Sequence, residues 1–275
     1  MKMTINCNEK LIDLTAPKVM GILNVTPDSF FDGGKYKDES DILKQTEKML
    51  KEGATFIDVG AYSSRPGAKH ISETEELQRI IPVVALLVKN FPDIIISVDS
   101  FRSRVVEDSI NAGAALINDI SGGKMDEQMF HTIAKLQVPY IMMHMQGTPQ
   151  NMQSSPIYKD IVTEVISFFA AQLFKLRELK VNDVIIDVGF GFGKTPVHNY
   201  ELLNKLSLFK NLELPILTGV SRKSMLYKLL DISPQNALNA TTVANTIALL
   251  NGTNILRVHD VKEAVEAVKI VSQLR

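Results

Sequence analysis

Eight short apolar runs, each followed by a polar residue, recur along the chain and constrain its fold more than any other feature. They occupy residues 19–23, 56–57, 94–98, 115–117, 140–143, 184–186, 215–217 and 255–256. Such runs are too short for helices, and their continuous apolar character is typical of strands buried on both faces of a parallel sheet. The sequence therefore predicts a parallel sheet built from these runs.

Segments with helical periodicity separate several of these strands. They include residues 40–51, 73–90, 160–180 and 261–274, and Ser72 with Glu75 forms a capping-box signature before the second of them. This alternation favours an α/β fold, a (β/α)8 TIM barrel, over a doubly wound open sheet. No linker-like composition divides the chain. We expect one domain, in which residues 19–275 form the barrel. Residues 1–18 would form a lead segment, a small strand or plug at the bottom of the barrel.

Composition excludes several classes of protein. The 275 residues carry 30 Lys+Arg against 31 Asp+Glu, a formal net charge of −1, and 45% are hydrophobic. A disordered chain would have fewer apolar residues or more net charge, and a nucleic-acid-binding surface would need a basic excess. The single cysteine, Cys7, excludes an intramolecular disulfide and a cysteine zinc site, and fits a reducing compartment.

The longest apolar stretch, residues 80–88, is much shorter than the roughly 20 residues that span a bilayer. The first residues contain no apolar segment typical of a secretion signal. We therefore expect a soluble, cytoplasmic protein that binds neither membranes nor nucleic acid.

The residues that follow the apolar runs are polar in every case. Taken singly, such a residue is more often a helix cap or a loop brace, and Asp58 and Asp119 fit that role. Together they indicate a site, because the carboxyl ends of barrel strands meet at one rim. The polar residues are Asn24, Asp58, Asp99, Asn118, Asp119, His144, Asp187, Ser221, Arg222, Lys223, Arg257 and His259.

A glycine-rich segment at residues 189–195 ends in Gly-Lys-Thr, as phosphate-binding P-loops do. It is not one, because Val188 occupies the place of the first P-loop glycine. It also fails as a dinucleotide fingerprint, since Lys194 stands where the third glycine is required. Two interpretations remain: the glycines allow a tight turn after the strand, or they form a flat floor on which a planar ligand approaches Asp187.

Arg257 and His259 are two residues apart on a predicted strand, so their side chains share a face. A guanidinium beside an imidazole predicts an anion clamp for phosphate, although a lone strand histidine is more often a hydrogen-bonded core residue. The loops at residues 26–34 and 62–68 mix glycine and proline with aromatic and charged side chains, a composition suited to lids over the rim.

These residues resemble the dihydropteroate synthase family from one end of the chain to the other. The segments that carry the resemblance are residues 20–30, 58–67, 97–99, 117–119, 143–147, 187–194, 219–223 and 257–260. The resemblance implies condensation of 6-hydroxymethyl-7,8-dihydropterin pyrophosphate with 4-aminobenzoate by a dissociative mechanism, in a barrel that forms a homodimer and uses Mg²⁺. Ser64 departs from the family, in which many members have threonine at this place.

The resemblance also implies residue roles. Asp32, Lys223 and Asn24 would be catalytic, with Mg²⁺ held at Asn24. The pterin would contact Asp99, Asn118, Asp187, Lys223, Met143 and Phe192, and the pyrophosphate would contact Asn24, Arg257 and His259. The residues around the aminobenzoate would be Phe30, Ser64, Arg65, Pro66, Phe192 and Ser221.

Two alternatives stay open on the sequence. A methyltransferase that passes a folate methyl group to a corrinoid would share the barrel and the pterin edge, but it should lack the loop from Asn24 to Asp32 and the pair formed by Arg257 and His259. A paralogue that binds pterin without catalysis should carry a damaged lid or clamp. Both features are intact in the sequence.

Overall fold

The computed structural model describes residues 3–25, 39–63, 70–154 and 156–274. Eight parallel strands close into a barrel in chain order, with the last strand pairing with the first. The strands are β3 (Lys18–Asn24), β4 (Phe56–Gly60), β5 (Ile96–Asp99), β6 (Leu116–Asp119), β7 (Tyr140–Met143), β8 (Val184–Asp187), β9 (Ile216–Thr218) and β10 (Ile255–Val258). The predicted (β/α)8 barrel is confirmed, and each predicted apolar run overlaps one of these strands.

Helices lie between the strands and cover the outside of the barrel. They are α1 (Glu39–Lys51), α2 (Glu73–Asn90), α3 (Ser103–Asn111), α4 (Met129–Leu136), α5 (Ile161–Glu178), α6 (Pro196–Asn204), α7 (Ser224–Tyr227), α8 (Leu238–Leu250) and α9 (Val261–Ser272). Two 3₁₀ helices, Leu206–Leu212 and Pro234–Asn236, complete the connections. Ser72 caps α2 by accepting a hydrogen bond from the Glu75 amide at 3.1 Å, as the sequence indicates. None of these helices is long and apolar enough to cross a membrane.

The lead segment contains an antiparallel pair of strands, β1 (Thr4–Cys7) and β2 (Lys10–Asp13), beneath the barrel. Ile5, Cys7 and Leu14 pack into the apolar cluster that fills the lower barrel interior. The Asn6 amide donates to Asp183 at 2.7 Å, which ties this segment to the residue before β8. The amino-terminal end of the barrel is therefore filled with apolar side chains, and polar groups collect at the opposite end.

Candidate active site

A cavity of about 690 Å³ lies at the carboxyl end of the barrel. It brings together the described residues to which the family resemblance assigns a role. These are Asn24, Asp99, Asn118, Met143, Asp187, Phe192, Ser221, Lys223, Arg257 and His259.

The alternation of side chains along the strands explains why these residues meet. In β8, Val184 and Ile186 pack outward against the helices, whereas Ile185 belongs to the apolar cluster inside the barrel. Asp187 continues the inward series and lines the cavity. In the same way Arg257 follows the inward Ile255 in β10. Each such strand therefore presents an apolar residue to the bottom of the barrel and a polar residue to its top.

Arg257 is the cation at the centre of the cavity. Its Nε donates to Asp58 at 2.6 Å and its Nη2 donates to Asp99 at 2.8 Å. The Asn118 amide donates to the same Asp58 oxygen at 3.0 Å. Burial raises the pKa of Asp99 to about 7, with Arg257 acting in the opposite direction. Burial also opposes the charge on Arg257, but Asp58 and Asp99 outweigh it and raise the pKa of the guanidinium.

Asp58 therefore does not brace a loop, and the interpretation of it as a cap or brace is wrong. Its side chain is fully buried and orients Arg257 and Asn118. Asp119, in contrast, does brace the loop after β6, because it accepts hydrogen bonds from the amides of Ser121 and Gly123.

His259 and Arg257 each have their own protein partner. His259 Nδ1 lies 3.0 Å from the Ser221 hydroxyl, and the His259 amide donates to the same oxygen at 3.2 Å. Protein groups therefore hold the arginine beside the histidine, and the anion clamp stays a prediction. Both side chains nevertheless line one cavity, where they are available to an anionic group.

Lys223 and Asp187 form the other charged pair of the cavity. Burial lowers the pKa of Lys223 to about 8, and Asp187 acts against this. Burial likewise raises the pKa of Asp187, and the positive charge of Lys223 is the largest of the effects that lower it. The Lys223 ammonium donates to the carbonyl of Phe190 and lies 4.7 Å from the centroid of the Phe192 ring. It is thus held over the segment that follows β8.

That segment, residues 189–194, is called the floor loop from here on. A Cβ at Gly189 would lie 2.0 Å from the His144 carbonyl oxygen, and one at Gly193 would lie 2.5 Å from that of Gln146. These two glycines therefore allow close packing against the chain after β7. Gly191 lines the cavity instead. The tight-turn interpretation therefore applies to Gly189 and Gly193, and the flat floor for a planar ligand stays a prediction.

Lys194 and His144 bond to each other and do not line the cavity. The Lys194 ammonium donates to the carbonyls of His144 and Phe192, at 3.2 and 3.0 Å. His144 is 6% exposed and faces Lys194 instead of the strand ends. The prediction that His144 belongs to the site is therefore wrong. It follows the inward-facing Met143, so its side chain points out of the barrel.

The comparisons with known proteins assign the family. Residues 20–259 match the family model described as "Pterin binding enzyme". A relative from Escherichia coli (strain K12), named dihydropteroate synthase, is 44% identical over 262 residues, which are 94% of this chain and 92% of the relative. The chain belongs to the dihydropteroate synthase family. The family resemblance, and with it the expectation of an enzyme of the transferase class, is confirmed.

Solved dihydropteroate synthase structures have the same fold. One from Yersinia pestis, in complex with a sulfonamide drug, superimposes with a TM-score of 0.95 at 45% identity and covers 99% of each chain. Another from Xanthomonas albilineans, with 4-aminobenzoic acid, has a TM-score of 0.91 at 34% identity and covers 100% of this chain and 98% of that one.

Five residues that the dihydropteroate synthase resemblance singles out lie outside the described residues. They are Phe30, Asp32, Ser64, Arg65 and Pro66.

The cavity also contains residues that the sequence reasoning missed. Ile22 lines it two residues before Asn24, and the alternation of β3 could have revealed this inward position. Met152 and Gln153 also line it, as does Tyr62, although Tyr62 begins the predicted lid segment 62–68. They lie in connections after strands, where no sequence period indicates the direction of a side chain.

Proposed function

We propose that this chain condenses 6-hydroxymethyl-7,8-dihydropterin pyrophosphate with 4-aminobenzoate, giving 7,8-dihydropteroate and pyrophosphate in folate synthesis. The observation that carries the proposal is the meeting of Asp99, Asn118 and Asp187 with Lys223 and Arg257 in one buried cavity. Membership of the dihydropteroate synthase family supports it, as does the 4-aminobenzoic acid in the Xanthomonas albilineans structure.

The pterin would be recognised along its polar edge. Asp187 would accept hydrogen bonds from the ring amide and the exocyclic amine, Asn118 can both donate and accept, and Asp99 would accept from a further ring N–H. Lys223 would cover the ring and donate to its carbonyl, with Met143 and Phe192 as apolar contacts. A ring that leaves one of these buried groups unpaired would lose about 1–3 kcal/mol of binding free energy, and other heterocycles would therefore be excluded.

The pyrophosphate would contact Arg257, His259 and Asn24. Within the described residues there is no cluster of three or more histidine, cysteine or carboxylate side chains suited to a metal ion. The amide oxygen of Asn24 nevertheless fits Mg²⁺, which commonly uses one or two protein oxygens together with substrate phosphates. Gly60 leaves space beside this oxygen, because a Cβ there would lie 3.5 Å from it. When bound, Mg²⁺ supplies positive charge to the leaving group.

The reaction would be dissociative. The C–O bond to pyrophosphate breaks first, and the bonding electrons leave with the pyrophosphate, whose charge Arg257 and His259 offset. The remaining pterin cation is stabilised by resonance. The aromatic amine then forms a C–N bond to it, and the proton that the nitrogen loses passes to water. Because that amine is already a usable nucleophile, no strong general base is required.

The remaining roles rest on the family resemblance. Asp32 would stabilise the pterin cation, and Ser221 would lie near the aminobenzoate carboxylate. The walls of the aminobenzoate site would be Phe30, Ser64, Arg65, Pro66 and Phe192. The protein would act in the cytoplasm as a homodimer on these two small-molecule substrates.

A turnover assay tests the proposal. Purified protein with Mg²⁺, dihydropterin pyrophosphate and 4-aminobenzoate should release pyrophosphate and form dihydropteroate. Slow release of pyrophosphate without 4-aminobenzoate would support the dissociative order. Binding of the pterin without any release of pyrophosphate would instead favour the non-catalytic alternative.

Replacement of Arg257 tests the pyrophosphate contact. We expect Arg257→Ala to weaken the binding of pterin pyrophosphate by at least about tenfold more than the binding of 6-hydroxymethylpterin, because a charge-assisted contact is lost only for the first ligand. Calorimetric titration of both ligands measures the ratio. Lys228→Ala is the control, since Lys228 is an exposed cation at the same cavity. Equal losses for the two ligands would remove this assignment.

A further inference from the structure

Lys194 is a buried lysine for which the proposed reaction has no use. It is only 3% exposed and does not line the cavity. Its Nζ lies 3.0 Å from the Phe192 carbonyl oxygen, 3.2 Å from the His144 carbonyl oxygen and 3.0 Å from His144 Nδ1. Each of the three N–H groups of an ammonium therefore meets an acceptor. This arrangement differs from a P-loop, in which the lysine is directed toward a phosphate.

His144 provides two of these acceptors and is itself held firmly. Burial, followed by the charge of Lys194, lowers the pKa of His144 to about 2, so its imidazole is neutral and Nδ1 can accept. The ring packs edge-on against Phe168, with centroids 5.0 Å apart. The His144 amide donates to the Asp187 carbonyl at 3.0 Å. Lys194 therefore ties the floor loop to the chain just after β7.

Phe192 lies between two lysines. Lys194 holds its carbonyl group from outside the barrel, and Lys223 lies 4.7 Å from its ring centroid on the cavity side. Lys223 also donates to the Phe190 carbonyl of the same loop. The position of the Phe192 ring, and of the lysine beside it, thus depends on where the floor loop is fixed.

We propose that Lys194 is a positioning residue for the pterin site: by bonding Phe192 and His144, it holds the floor loop where the Phe192 ring and Lys223 can flank the pterin. The inference rests on the proposed function, because it assigns Lys194 an effect on that site's ligand. An apolar side chain could fill the same space, but it would leave the carbonyl groups of Phe192 and His144 without these hydrogen bonds and the floor loop without this tie.

A double-mutant cycle separates positioning from a general effect on stability. We expect Lys194→Met to weaken the binding of 6-hydroxymethylpterin about tenfold while the variant still unfolds cooperatively. In a Phe192→Ala background, where the ring is absent, the same substitution should change the affinity by less than about threefold. Calorimetry measures affinity and thermal unfolding checks the fold. The control is Lys205→Met, because Lys205 is exposed and its ammonium pairs with the surface residue Glu201.

Two results would overturn the proposal. One is an unchanged pterin affinity in Lys194→Met, and the other is a decrease in affinity that is equally large with and without the Phe192 ring. If Lys194→Met does not fold, His144→Phe replaces it, since phenylalanine retains the packing on Phe168 but removes the Nδ1 acceptor. His144→Phe should cause a smaller loss of pterin affinity than Lys194→Met, and this loss should also vanish in the Phe192→Ala background. Because pterin binding is measured without turnover, failure of this inference remains distinct from an inactive wild-type protein.

Discussion

The free energy of a buried charge in the cavity depends on its immediate partners far more than that of a surface charge does. The Asp58 side chain has 0% exposure where it meets Arg257, whereas the Lys10–Asp93 pair is 51% and 98% exposed. Water screens the exposed pair and can solvate either residue if the other is removed. The Arg257 side chain inside the barrel is only 20% exposed, so water can replace a lost partner there much less completely.

We therefore predict a large difference between two aspartate substitutions. Asp58→Ala should lower the free energy of unfolding by about 3–5 kcal/mol, because it leaves a buried arginine with one partner fewer. Asp93→Ala should leave it almost unchanged, because it breaks only an exposed pair. Urea unfolding of both variants measures the difference. Similar losses would mean that Asp58 does not support Arg257 energetically.

The protonation of Lys223 provides a pH test. Burial lowers its pKa to about 8, so the amine is cationic below that pH and loses its charge as the pH rises through it. Pterin binding should therefore weaken between about pH 7 and about pH 9.5, where a lysine of ordinary pKa would remain charged. Calorimetric titration with 6-hydroxymethylpterin follows this change.

Lys223→Met is the matched variant for the pH test. Its affinity should be lower at neutral pH and should lack the decline near pH 8, whereas titration of the pterin itself affects both proteins equally. A decline of the same size in Lys223→Met would show that another group is responsible.

Individual site residues could be predicted from the sequence where the strand period applies, and not elsewhere. Asp187 and Arg257 each lie two residues after a side chain that points into the barrel. Because side chains alternate between the two faces of a strand, both residues are expected to point into the barrel as well. The apolar run ends at Ile57, so the sequence favours a loop role for Asp58, but β4 continues to Gly60 and makes Asp58 an inward residue. The direction of the Lys194 side chain depends on the path of a loop, which no period encodes.

At the scale of elements, the floor loop shows how glycine content fixes a backbone path. Gly189 and Gly191 have φ values of +71° and +81°, so both would be strained by a side chain. They differ in space: a Cβ at Gly189 would overlap the His144 carbonyl at 2.0 Å, whereas one at Gly191 would lie 3.4 Å from Lys223 Cδ.

This contrast predicts the cost of two alanine substitutions. Gly191→Ala should lower the free energy of unfolding by about 1–2 kcal/mol through backbone strain alone. Gly189→Ala should cost a further 1–3 kcal/mol or so, because the loop must also move away from β7. Thermal and urea unfolding measure both, and equal costs would argue against close packing of the loop on the chain after β7.

The helices were predictable to different degrees. The expected segment 73–90 coincides with α2 (Glu73–Asn90), because charged and apolar residues alternate at helical spacing and a serine caps the start. Helix α8 (Leu238–Leu250) was not predicted from periodicity. It contains no charged residue, so apolar side chains occur all around it and no polar face marks the period.

At the scale of the whole molecule, the barrel separates its polar and apolar groups along one axis. The lead segment and inward apolar residues fill the bottom, while the charged groups collect around the cavity at the top. The neutral composition therefore conceals a site with paired cations and carboxylates. Such a site suits one small anionic substrate, which a count of charges over the chain does not reveal.

We expect the outer face of α8 to form the contact between the two subunits of the proposed dimer. Val243, Ile247 and Leu250 are 54%, 39% and 57% exposed and lie on one face of this uncharged helix. Ile247→Glu should therefore shift the protein to a monomer, since a charge in an apolar interface is unfavourable. Sedimentation velocity measures the shift, and Phe174→Glu on α5 (67% exposed) is the control. A wild-type protein that is monomeric at micromolar concentration, or an Ile247→Glu variant that remains dimeric, would contradict this assignment.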